Sequence, residues 1–244
     1  MAVVTINPRI WFGAFHLSDT HSHAELTMGH EPEDATVFTH TAKNVRGTLA
    51  FVELVAQGFI DFGNNEVHEV YRGNINVADI PVTIGMEGAV DGTKAEFFEA
   101  KVLQYRIPGV VGKLLPFHMA AKGQGTPSVD GTILGIGSKT STANGTARQL
   151  GAVTATQVLY AALHVISVSG TTPTLNVVMA SDNAEGFASG VTRLTFAQKT
   201  AAGSEFLSAA GAITDDWWRA QWTIGGTGSP TFDVVIVAGI ATNP

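Results

Sequence analysis

Val45-Arg46-Gly47-Thr48-Leu49-Ala50-Phe51-Val52-Glu53-Leu54-Val55-Ala56-Gln57-Gly58-Phe59-Ile60-Asp61 is the stretch on which the reading of this chain turns. It follows a short extended run, Asp34 to Phe38, and a polar loop, Thr39 to Asn44. From Leu49 to Val55 only Glu53 is charged, so period-2 alternation is weak. The expectation is a strand buried on both faces, which needs a covering layer on each side. Those layers must come from the chain itself or from copies of it, and this is the first pointer to assembly.

Composition points the same way. A chain of 244 residues can bury a sizeable core without metals or disulfides. Cysteine is absent, which removes disulfide and thiolate chemistry. Charged residues make up 14%, against a usual ~25%. So little charge coats a monomer thinly and predicts surface buried between subunits. The formal net charge of -7, with 14 scattered basic residues, speaks against tight binding of nucleic acid, which needs clustered Lys and Arg. It suits a surface that lets nucleic acid pass. No apolar run reaches the ~18 residues of a membrane span, and Met1 to Ile10 lacks the charged start and apolar centre of a signal peptide.

Working outward, Val3 to Ile6 and Ile10 to Leu17 read as extended pieces divided at Pro8. Ala24 to Met28 alternates as a half-buried strand should, with Ala24, Leu26 and Met28 on one face. Beyond the central stretch, Asn64 or Asn65 is placed to cap a short helix in which Val67, Val70 and Tyr71 share a face, ending at Gly73. Strands follow at Val82 to Gly85, Ala95 to Arg106 and Lys113 to Lys122, with a tight turn at Asp91-Gly92. Gly123 to Gly151, rich in Gly, Ser, Thr and Ala, reads as an extended connector with little core.

A second run of strands then covers Gln157 to Val168, Thr174 to Ser181, Thr192 to Ala197, Trp217 to Ile224 and Phe232 to Ile240. Hairpin connections are expected at Ser169 to Pro173 and Gly225 to Pro230. Val158 to Val168 and Val234 to Ile240 are apolar at alternate and intervening positions alike, so both should be buried on two faces. The fold class is mainly β: an antiparallel sandwich or barrel with one short flanking α-helix over residues 1–125, a connector over 126–151, and a C-terminal antiparallel β-sandwich unit over 152–244.

The chemistry-bearing residues are few. Five of eight histidines, His16, His21, His23, His30 and His40, lie in the first 40 residues. Asp19, His21 and His23 would project from one face of a strand and could meet a divalent metal, the nucleus of a metal-dependent hydrolase. No later HxH, HExxH or compact His/Asp cluster completes such a site. Gly135-Ile136-Gly137-Ser138-Lys139-Thr140 falls short of a phosphate-binding loop, because Ser138 separates the glycine from the lysine. Asp215 and Asp216 are adjacent and should face apart, as should Trp217 and Trp218. The outer tryptophan could stack on a sugar, so a carbohydrate- or receptor-binding virion protein is an alternative reading. No nucleophile elbow, dinucleotide fingerprint or cysteine nucleophile is present. The sequence therefore assigns no catalytic, cofactor-binding or metal residue, and the expectation is not an enzyme.

The order of four segments resembles the major tail tube proteins of long, non-contractile-tailed bacteriophages of the siphovirus type. The segments are Glu33 to Phe38 with the strand ending Gly58-Phe59-Ile60-Asp61, then Lys113 to Gly123, Leu159 to Val165, and Thr214 to Thr223. The resemblance implies a tail-tube-type sandwich with a flanking helix, assembled into stacked rings, usually hexameric, around a lumen that carries DNA from the capsid. If both halves were tube-like, a trimer would replace the hexamer. It further implies partners in the tape measure, tail terminator and distal tail proteins, and a place in the virion tail after synthesis in the host cytoplasm.

Overall fold

A computed structural model describes residues 8–37 and 42–242 of the chain. In chain order its elements are β1 (Arg9–Phe12), β2 (Phe15–His16), β3 (His21–Asp34), β4 (Val45–Phe59), α1 (Val67–Gly73), β5 (Ile80–Gly85), β6 (Lys94–Arg106), β7 (Pro116–Gly123) and β8 (Val129–Lys139). They continue with β9 (Ala143–Asn144), β10 (Arg148–Gln149), β11 (Gln157–Asp182), β12 (Val191–Thr195), β13 (Gly203–Ala210) and β14 (Trp217–Thr242). β1 pairs with β2 and β5, β3 with β4, β7 with β4 and β6, β8 with β6 and β14, β11 with β12, β13 and β14, and β14 with β9 and β10, all antiparallel. The mainly-β reading with one short helix therefore holds. The expected division at 125 and 151 does not. The two compact units are discontinuous: one takes the residues up to Asp19, Asp79–Glu99 and Val129 onward, and the other takes Thr20–Ala78 and Ala100–Ser128.

The smaller unit is a four-stranded sheet in the order β3-β4-β7 and the second half of β6. On β4, Val52, Leu54, Ala56 and Gly58 are buried while Phe51, Glu53, Val55 and Gln57 are half-buried. Two-sided burial of this strand is thus corrected to one-sided burial. Apolar composition alone does not specify two covered faces, because Phe51 and Val55 lie on a face that this sheet leaves partly open. The covered face carries α1, whose Val67, Val70 and Tyr71 are all buried as their spacing predicts. Neither Asn64 nor Asn65 caps it. Glu66 occupies that position without a side-chain bond, Asn65 takes a left-handed φ of 63°, and its N–H donates to Glu69 Oε2 at 2.7 Å. The Glu69 carboxylate thus satisfies a donor at the helix start, where negative charge is favoured.

In the larger unit β11 and β14, 26 residues each, pair from Gln157↔Thr242 to Asp182↔Trp217. The two hairpins expected at Ser169 to Pro173 and Gly225 to Pro230 are absent. Both segments lie inside these strands, opposite one another, with register shifts at Ser169/Thr171 and Thr171/Thr174. Turn-rich composition here produces a bend in a two-stranded ribbon. Such bends let strands pass from one layer of a sandwich to another. Leu159, Leu163 and Val165 before the bend share one core with Leu175, Val177 and Met179 after it, together with Trp218 and Phe232.

The opposite face of the first half feeds a second core, in which Tyr160, Ala162, Val235 and Val237 meet Trp11, Phe97, Val129 and Ile133. The two-sided burial expected of Val158 to Val168 and Val234 to Ile240 holds from Leu159 to Val165 and from Val234 to Gly239, with the covering layers from this chain, while Ser167 is exposed. The supposed connector is also corrected: within it β8 pairs with β14 and β6, and Val129, Ile133 and Leu134 are fully buried. Its glycines mark close approach rather than looseness, since a Cβ at Gly131 would stand 2.6 Å from the Phe97 ring and 2.9 Å from Ala238 O.

Candidate assembly surface

Strand β3 pairs only with β4 among the described residues. No other described strand borders its outer edge along these 14 residues. Strand β7 meets β4 only from Glu53 to Phe59, so the far part of the hairpin, Gly29 to Asp34 with Val45 to Phe51, is a two-stranded ribbon. Apolar side chains on it and beside it are uncovered: Val45 is 50% exposed and Leu49 75%, and Met28, just before it, 52%. Long exposed edges of this kind pair with other chains unless blocked. Pro32 and four acids, Glu25, Glu31, Glu33 and Asp34, limit which edges can approach.

Two further features of the same unit lie at opposite ends of its sheet. Beside Phe59↔Pro116, the loop from Ile107 to Leu115 carries Val110 and Val111, both exposed, and Leu114, 72% exposed. At the other end Met28, His30, Leu49, Phe51, Val52 and Gly123 with the segment 125–128 line an open groove of about 570 Å³ whose wall holds no Lys, Arg, Asp or Glu. Sequence reading missed both. The available signal was Ile107-Pro108-Gly109-Val110-Val111-Gly112, an apolar run broken by Pro and Gly where a loop should be polar.

Among the described residues the histidine cluster brings no three metal ligands together. Asp19 sits in a 3-10 turn, Ser18–Thr20, and accepts from Arg9 Nη1 at 3.4 Å. His21 opens β3, with its Nε2 2.8 Å from the Tyr71 hydroxyl in a hydrogen bond and its ring edge-on to Phe117. A bulge between His21 and His23 breaks the alternation that would have aligned them. His23 lies 3.8 Å from Glu25. The hydrolase reading thereby loses its geometric premise, and no group of three His, Asp or Glu among the described residues is placed to hold a metal. His16 bonds Ser18 Oγ at 2.9 Å, and burial followed by the Arg9 charge lowers its pKa. His30 lies on the exposed hairpin, and His40 falls outside the described residues.

Gly135 to Lys139 belong to β8 and form no loop. Lys139 donates to Ile136 O at 2.8 Å and lies over the Trp222 ring, 4.7 Å from its centroid. Asp215 and Asp216 diverge as expected. Asp215 accepts from Ser181 Oγ at 2.7 Å and from Arg193 Nη2 at 2.9 Å, and these bonds, the serine's first, lower its pKa. Asp216 accepts from Gln149 Nε2 at 2.6 Å. Trp218 is fully buried and donates to Gly151 O at 2.8 Å, while Trp217 is half-buried.

A histidine that spacing did not single out is buried completely. His164 Nδ1–H donates to Gly13 O at 2.6 Å, and Nε2 accepts from Thr83 Oγ1 at 2.8 Å. Burial pushes its pKa down to about 4. The ring is therefore neutral and structural.

Neither a family model nor a curated protein matches the sequence. Among solved structures, a chain of the virion of a native gene transfer agent particle is similar at 10% identity and a TM-score of 0.42, over 52% of this chain and 98% of that one. The SPP1 tail tube protein is similar at 9% identity and a TM-score of 0.38, over 49% and 76%. The SPP1 Dit protein, described as a hub of the adsorption apparatus in phages infecting Gram-positive hosts, is similar at 10% identity and a TM-score of 0.36, over 96% and 99%.

Proposed function

We propose that this chain is a structural subunit of a phage tail tube, a non-enzymatic building block that closes its sheet edges on copies of itself. The observation that carries the reading is the β3–β4 hairpin, whose outer edge no other described strand borders and which exposes apolar side chains at Met28 and Leu49. A ring gives such an edge a partner at every position, as barrel closure does within one chain. The low charge and the order of segments that resembles tail tube proteins support the same reading.

On this reading the subunits form rings, hexameric in the first instance, that stack in the virion tail into a conduit for DNA. The tape measure, tail terminator and distal tail proteins are its partners. The assembly argument does not rest on Val158 to Val168 or Val234 to Ile240, whose two faces this chain covers itself.

Negative-stain microscopy of the purified protein tests the reading, with long hollow tubes or stacked rings as the expected image. Isolated rings that never stack would point to a hub in place of a tube. A stable monomer by light scattering, at high concentration and across modest salt, would overturn the proposal.

A further inference from the structure

From the two ends of the smaller unit's sheet, and resting on the self-assembly just proposed, we infer that the β6–β7 loop of one copy seats in the β3–β4 groove of the next. The joint is head-to-tail. From Phe59, beside the loop, to Val52, in the groove wall, β4 advances seven residues, roughly 23 Å at ~3.3 Å per residue. The knob and the hole are thus separated along one sheet, an arrangement that passes the contact from copy to copy and does not close on a pair.

The two surfaces match chemically. The loop presents Val110, Val111 and Leu114, and the groove presents Met28, Leu49 and Phe51. From Arg106 to Leu115 the loop segment carries two cations, Arg106 and Lys113, and no acid. Beside the groove, β3 carries Glu25, Glu31, Glu33 and Asp34 and no Lys or Arg. Near these acids and Glu53 lie three cations, Lys43 at 3.8 Å from Asp34, Arg46 as the register partner of Glu33 and Lys122 as that of Glu53, so five acids stand against three cations and the charge beside the groove is net negative. An apolar knob flanked by positive charge therefore meets an apolar groove flanked by negative charge. Covering both removes the largest uncovered aliphatic groups of this unit from water.

The absence of native cysteine makes the test clean. Val111→Cys and Leu49→Cys replace exposed side chains, so each variant should fold. Mixed under mild oxidation, they should cross-link to a heterodimer roughly tenfold faster than either forms a homodimer, because docking raises the local thiol concentration. The double variant should give a ladder of multimers. A double variant that stops at dimer would overturn the head-to-tail geometry. Tubes or rings that form without this cross-link would overturn the inference while leaving the assembly reading intact. A protein that stays monomeric would overturn both.

Discussion

His164, which spacing does not single out, is explained by its surroundings. It lies within an apolar strand, and both ring nitrogens are satisfied without charge. The folded chain resists protonating it until about pH 4, whereas the unfolded chain takes up that proton near the ordinary value of 6.5. Between those values the unfolded state binds more protons, so stability is full above pH 6.5 and falls as pH drops toward 4. The loss from this one group should reach ~3 kcal/mol. Urea melts from pH 7.5 to 4.5 should show the fall in the natural protein and a flatter profile in His164→Gln, whatever that variant's stability at neutral pH. Equal slopes would reject the assignment. Spacing drew attention instead to Asp19, His21 and His23, and no spacing rule could show that a 3-10 turn and a bulge separate them.

Among the elements, α1 and the alternation at Ala24 and Leu26 were legible because a periodic face is a local property, whereas Met28, expected on the same half-buried face, is exposed. The apolar runs of β11 and β14 were legible for a similar reason: both of their faces are covered, so apolar residues fill successive positions, with His164 the polar exception in β11. Two features were not legible, and both depend on distant partners. The glycines of β8 read as connector, although Gly131 is required by Phe97. The segments around Pro173 and Gly226 read as separate hairpins, although each becomes a bend only because the other lies beside it. Gly226 has a φ of 112°, and a Cβ there would stand 2.5 Å from Thr172 O. Gly226→Ala should therefore cost about 1–3 kcal/mol through strain and backbone contact. A denaturation midpoint unchanged from the natural protein would show that the two strands do not constrain each other there.

At the scale of the whole molecule, a net charge of -7 recurs in every subunit of an assembly. A wall of that sign keeps DNA mobile, where a basic lining would hold it. The hypothesis is that lumen-facing positions are polar or acidic and that Lys and Arg serve subunit contacts, as Lys113 does in the joint inferred above. Assembled protein should show no appreciable affinity for duplex DNA at physiological salt. Tight binding that weakens steeply with added salt in a fluorescence titration would contradict it. Composition made the need for partners legible, but it named the wrong surface. The apolar strands that seemed to require a neighbour are satisfied within the chain, and the exposed hairpin and loop are the places that call for one.

The two-stranded stretch of the hairpin beyond β7 also bears on timing. A ribbon of two strands without a third is marginal in water, so its amides from Val45 to Phe51 should exchange with solvent quickly in a lone subunit and slowly once a neighbour is in place. The first subunits to meet must each bear the cost of ordering that ribbon, while later arrivals dock on one already held. Growth should then begin after a lag that preformed ends abolish. Subunits could accumulate in the cell unpolymerised and elongate only where a completed end invites them. Polymerisation without a lag, unaffected by added seeds, would show that the ribbon is already firm in the free chain.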